Sequence, residues 1–75
     1  MSAGLAKARY ILRDDHEFDG EIVLRRGDVV ELFSGQDFGV VNADIRRTGI
    51  RHICVTLIDG NGEFLSVPFG KLKRV

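Results

Sequence analysis

The chain has 75 residues, 44% of them apolar and 29% charged, and its eleven basic and eleven acidic side chains leave a net charge of zero. That balance fits a folded globular domain better than a disordered tail, and the length is expected to hold one domain. So short a chain buries only about 60% of its unfolded surface, which leaves little room for an enclosed active site. A single cysteine excludes an internal disulfide and a cysteine-built zinc cage.

Residues 1–6 are expected to be a flexible terminus ahead of one domain spanning residues 7–75. Over residues 8–13, alternation places Tyr10 and Leu12 on one face and Arg9 and Arg13 on the other, the period of a half-buried strand. An acidic loop carrying Asp14, Asp15, Glu17 and Asp19 runs to Gly20. Ile22 and Leu24 then share a face before a Gly27-Asp28 turn, and a strand over residues 29–33 is expected to bury Val30 and Leu32 while Glu31 faces water. Ser34-Gly35-Gln36-Asp37 is a turn cluster. Residues 38–44 are expected to form a third strand, with Gly39 at a bulge, and Arg46-Arg47-Thr48-Gly49 an exposed turn. Two last strands are placed at residues 51–58 and 63–67, and no helix of ordinary length is expected.

Register can be read for that closing hairpin. A two-residue loop would pair Leu57 with Ser66 and Thr56 with Val67, mixing polar and apolar side chains on both faces. A three-residue loop, Gly60-Asn61-Gly62, pairs Val55 with Val67 and Leu57 with Leu65 instead. Because a one-residue slip swaps faces, segregation favours the second register, with Gly62 left-handed in a type I turn plus bulge. Ile53, Val55, Leu57, Leu65 and Val67 then line the core, and Cys54, Ile58 and Phe64 lie on the opposite face.

Two segments together resemble a Src-homology-3-type (SH3-like) barrel. One is Glu21-Ile-Val-Leu-Arg-Arg-Gly-Asp-Val-Val-Glu-Leu32, in which an acidic residue, alternating apolar residues, two arginines and Gly-Asp lead into an amphipathic strand. The other is Val67-Pro-Phe-Gly-Lys-Leu-Lys-Arg-Val75. The resemblance implies a proline-led 3-10 turn there, with Leu72 plugging the barrel before a short last strand, and Pro68 supplies the backbone angle such a turn needs. The fold class expected is therefore all-β, a small five-stranded SH3-like barrel with one 3-10 turn near the C-terminus. Peptide-binding members of that superfold grip polyproline with tyrosines and a tryptophan. This chain has no tryptophan, and Lys71 stands where a groove tyrosine belongs, so polyproline recognition is not expected. A partial similarity to the KOW motif of ribosomal and transcription-elongation proteins covers residues 27–41, and it implies RNA or protein contact.

Candidate chemistry is sparse. Asp59, Asn61 and Glu63 alternate like calcium ligands, but the Gly-rich turn accounts for them and a calcium loop needs more oxygens. His16, His52, Ser34 and Ser66 show no spacing that joins a nucleophile to a base and read as scattered surface residues. Cys54, beside apolar neighbours, reads as a small buried hydrophobe. No catalytic residue, metal or cofactor is expected.

Two groups point instead to binding. Arg46, Arg47 and Arg51 present guanidinium groups on or beside an exposed turn, suited to phosphates or acidic side chains. Ile58, Phe64 and Phe69 would form an apolar patch beside Pro68. The function expected is a non-catalytic binding or adaptor domain that meets a protein partner or a second copy through these residues. The alternative is a KOW-like RNA- or DNA-binding barrel using the arginines, although a dedicated nucleic-acid binder is more often basic overall. No stretch nears the ~20 apolar residues of a membrane span and the N-terminus lacks a signal-like apolar core, so a cytoplasmic location without a membrane partner is expected.

Overall fold

A computed structural model describes residues 8–58 and 63–75. The expected flexible terminus at residues 1–6, the left-handed Gly62, and Asp59 and Asn61 lie outside the described residues. The chain is mostly β. Its strands are β1 (Arg9–Leu12), β2 (His16–Phe18), β3 (Glu21–Leu24), β4 (Val29–Leu32), β5 (His52–Leu57), β6 (Leu65–Pro68) and β7 (Leu72–Arg74). One helix, α1 (Phe38–Thr48), separates β4 from β5, and a 3-10 turn (Phe69–Lys71) joins β6 to β7.

Five strands form one antiparallel sheet in the order β6-β5-β4-β1-β7, while β2 and β3 pair only with each other. Among the described residues the sheet does not close on itself; β6 and β7 are its edges. Seven strands and a helix therefore replace the five strands expected, and closure into a barrel is not seen.

Alternation sets the core. Tyr10 and Leu12 of β1, Val30 of β4, Val55 of β5, Val67 of β6 and Leu72 of β7 are buried together, as their period-2 spacing requires. Leu32, Ile53, Leu65 and Phe69 pack against them. Leu24, only 1% exposed, brings the β2–β3 hairpin into the same cluster, so the hairpin is docked and not a free loop. At its tip Asp19 and Gly20 both take positive φ, 55° and 82°, the geometry of a type I′ turn that Asp-Gly favours. The acidic loop expected here is thus half of a hairpin. Ile22, expected to share Leu24's buried face, is 45% exposed.

The closing hairpin corrects the register. Ile53 pairs with Val67, Cys54 with Ser66 and Val55 with Leu65, two residues away from the pairing expected. An even slip preserves faces, which is why Val55 and Val67 remain core residues although their partners change. Leu57 loses its place opposite Leu65 and is 43% exposed.

The largest correction is at residues 38–44, which are helical. Asp37 takes an extended backbone (φ −92°, ψ 94°) and its side chain accepts a hydrogen bond from the Val40 amide at 3.1 Å, an N-cap. At the other end Gly49 is left-handed (φ 74°) and its N–H donates to the Ile45 carbonyl at 2.7 Å, with Arg46 and Arg47 in the last turn where the helix dipole favours cations. Phe38, Val41 and Ile45 recur at helical spacing, and Val41 is buried. The bulge expected at Gly39 is accordingly absent, and the portion of residues 27–41 that the KOW similarity needs as a strand is the first turn of α1.

Candidate functional site

Gln36 anchors the start of α1. Its side-chain amide donates to the carbonyls of Phe33 and Cys54, the latter at 2.8 Å, and its Oε1 accepts from the Cys54 N–H at 2.9 Å. The side chain thereby pairs with β5 as a neighbouring strand would. It is needed because β4 ends first: Val55, Thr56 and Leu57 pair with β4, whereas His52 and Ile53 run on past it. From that anchor α1 packs on β5 and β6. Cys54, on the face opposite Val55, is consequently also fully buried. Burial pushes its thiol pKa up, which keeps it protonated and unreactive.

Each flank of α1 carries a depression. On one flank a groove of about 430 Å³ opens where β5 outruns β4. Leu32, Phe38, Val41, Ile45 and Ile53 form its apolar wall, and Gln36, Asn42, Arg51 and His52 its polar margin. Phe38 is 70% exposed, an unusual state for an aromatic ring that lines a concave surface. Arg46, exposed, lies one helical turn beyond Asn42, outside the residues that line the groove. Among the described residues no carboxylate lines this groove.

On the other flank a smaller cleft of about 210 Å³ lies along β6 between the helix and the β2–β3 hairpin. Val40, Asp44, His16, Phe18, Phe64 and Ser66 border it. His16 is 8% exposed, and neither its Nδ1 nor the Ser66 Oγ has a hydrogen-bond partner among the described residues. Burial holds the His16 pKa below its ordinary value, helped by the positive charge of Lys71 and by His52, with Asp44 opposing weakly. Asp44 is held below the usual carboxylate range first by Arg47, whose Nη2 donates to Oδ1 at 2.9 Å. The Ser66 hydroxyl lies close enough to assist without a hydrogen bond of ordinary geometry.

The two histidines, expected at the surface, are buried. His52 donates from Nδ1 to the Ile50 carbonyl at 2.8 Å, which fixes the proton on that nitrogen. Although His16, Asp44 and Ser66 border one cleft, neither the His16 Nδ1 nor the Asp44 carboxylate makes a hydrogen bond of ordinary geometry to the Ser66 hydroxyl, so these three do not form an activated nucleophile. Among the described residues no group of three or more His, Cys, Asp or Glu side chains is arranged to hold a metal.

The residues singled out from sequence are dispersed. Ile58 borders a shallow hollow with Asp28, Val29 and Leu57. Phe64 stacks on Phe33, ring centroids 4.8 Å apart, and borders the His16 cleft. Phe69 packs on the core, edge-on to Tyr10 at 6.1 Å, with the Arg51 guanidinium 5.0 Å above its ring. Each of the three thus has different surroundings, because the shifted register puts Phe64 two positions away from where a shared patch needs it. Among the arginines, Arg47 is engaged by Asp44 and Arg51 by Phe69, while Arg46 is exposed. Sequence reasoning missed Phe38 and Ile45 as groove residues; the signal was the Asp37 and Gly49 caps with the 38, 41, 45 spacing. The chain matches no family model, no curated protein and no solved structure.

Proposed function

We propose that this chain is a non-catalytic binding domain of SH3-like type that docks a protein partner in the groove beside α1. The SH3-like reading draws support from the Gly27-Asp28 turn into β4, the 3-10 turn after Pro68 and the buried Leu72 that follows it. Relative to that superfold, α1 is an addition between β4 and β5. The observation that carries the docking reading is Phe38, 70% exposed at the mouth of an apolar groove with a basic margin. An exposed ring beside a concave apolar wall supplies the kind of aromatic anchor that dominates binding energy at interfaces. Arg46 and Arg51 add charge for steering and specificity.

The test is capture from the native source with immobilised wild-type chain and with Phe38→Asp. Partners held by the wild type and released by Phe38→Asp support the reading. A partner retained by Phe38→Asp but lost on Ile58→Asp places docking at the Ile58 hollow instead. Nucleic-acid binding, through Arg46, Arg47 and Arg51, predicts fluorescence-anisotropy binding to generic RNA or DNA that weakens steeply with salt. The Asp44 carboxylate already paired with Arg47, and a net charge of zero over the chain, argue against it.

A further inference from the structure

The surface that complements the groove is on this same chain. The β2–β3 hairpin projects Phe18, 66% exposed, and Ile22, 45% exposed, from a turn flanked by Glu17, Asp19 and Glu21. Phe18 lies opposite Glu21 on one face of the hairpin, where Phe18 also borders the His16 cleft, and Ile22 lies opposite Glu17 on the other, so each apolar side chain stands beside a carboxylate. Glu17, Asp19 and Glu21 are all exposed and none joins an ion pair among the described residues. The groove has the opposite character. Its wall is apolar, its margin carries Arg51, the exposed Arg46 stands one helical turn beyond the lining residue Asn42, and neither arginine meets a carboxylate among the described residues.

Resting on the docking reading above, we propose that the groove's partner is the β2–β3 hairpin of a second copy of this chain. The hairpin enters tip first, with Phe18 beside Phe38 and with Glu21 and Glu17, one on each face of the hairpin, meeting Arg51 and Arg46. Zero net charge with segregated signs removes overall repulsion between copies while leaving the local attraction. Hairpin and groove occur once per copy, so a two-fold pair makes the contact twice and leaves neither half unfilled.

Sedimentation velocity on the full chain tests this. In about 50 mM salt the wild type is expected to form dimers, with affinity falling at least about tenfold at about 500 mM as the ion pairs are screened. Arg46→Glu with Arg51→Glu should be monomeric, and so should Glu17→Lys with Glu21→Lys, because each sets like charge against like. An equimolar mixture of the two variants should associate again, since acidic groove then faces basic hairpin and basic groove faces acidic hairpin. Arg46→Glu and Glu17→Lys alone form a second pair that spares the contact of Arg51 with Phe69, and far-UV circular dichroism verifies that every variant is folded. A wild type that stays monomeric at about 0.5 mM overturns the inference; so do charge-reversed variants that dimerise as the wild type does, or a mixture that stays monomeric. If the wild type is monomeric yet Phe38→Asp abolishes capture of another protein, self-association fails and docking in the groove stands. If the wild type is monomeric and Phe38→Asp captures the same partners, both fail.

Discussion

At the scale of single residues, two polar side chains bear on stability in opposite ways. Gln36 satisfies both backbone groups of a fully buried residue, Cys54. Gln36→Ala leaves the Cys54 N–H without its partner and is expected to cost ~1–3 kcal/mol in urea unfolding, well beyond the effect of an exposed glutamine. His16 makes folding less favourable in acid. Its folded pKa lies below the ordinary value of 6.5, so the unfolded chain binds the proton first as pH falls. Stability should be flat above that value and decline from about pH 6.5 down towards the lowered folded pKa, and His16→Gln should abolish that decline. Asp44, whose pKa is also depressed, contributes stability that is present above its ordinary 3.8 and is lost as pH falls through the folded value, so it acts in a more acidic window. Urea midpoints measured from pH 8 to pH 3 separate the two; a wild-type curve that is level between pH 7 and pH 5 contradicts the role given to His16.

At the scale of elements, α1 depends on its caps. Asp37→Ala removes the acceptor for the Val40 amide and is expected to cost about 1 kcal/mol. Gly49→Ala forces a side chain into a left-handed backbone, and although its Cβ would meet nothing within 4 Å, the conformation alone costs ~1 kcal/mol. Both changes should shift the denaturation midpoint without altering its steepness if α1 unfolds together with the sheet. The salt bridge between Arg9 and Glu31, at 3.2 Å on a directly paired position of β1 and β4, is exposed, and Arg9→Ala is expected to change stability by less than about 1 kcal/mol. How α1 escaped recognition is instructive. Gly39 disfavours a helix and the Val40-Val41 pair carries strand propensity, yet Asp37, Gly49 and the 38, 41, 45 spacing are helix signals, and the tertiary setting decided between them: one face of the segment lies on β5 and β6.

For the whole molecule, the β2–β3 hairpin is part of the fold. Leu24→Ala should destabilise the chain by ~2–5 kcal/mol and in a single transition, because Leu24 shares a core with residues of β1, β4, β5, β6 and β7. A hairpin that melts separately, seen as a second transition by hydrogen exchange, would refute that coupling. Phe38→Asp, by contrast, should leave stability within about 0.5 kcal/mol of wild type, since the ring is largely solvent-exposed. The pair of variants thus distinguishes a residue that holds the fold from one available to a partner.

The sequence by itself determined the β character and the inward faces of β1, β4, β5 and β6, because period-2 alternation acts over a few neighbouring residues, while the 3-10 turn after Pro68 that returns Leu72 to the core was implied by the SH3-like resemblance and agrees with proline's fixed φ. It did not determine which alternating partners meet: the β5–β6 pairing slipped by two positions, a change that preserves faces and so leaves no trace in the hydrophobic pattern. Only the tertiary structure decided where the two depressions lie. Both exist because α1, anchored by Gln36 where β4 stops short of β5, stands away from its neighbours on either flank. It likewise dispersed Ile58, Phe64 and Phe69 and buried His16 and His52. Such relations join residues tens of positions apart, and they depend on how elements pack, which no local spacing encodes.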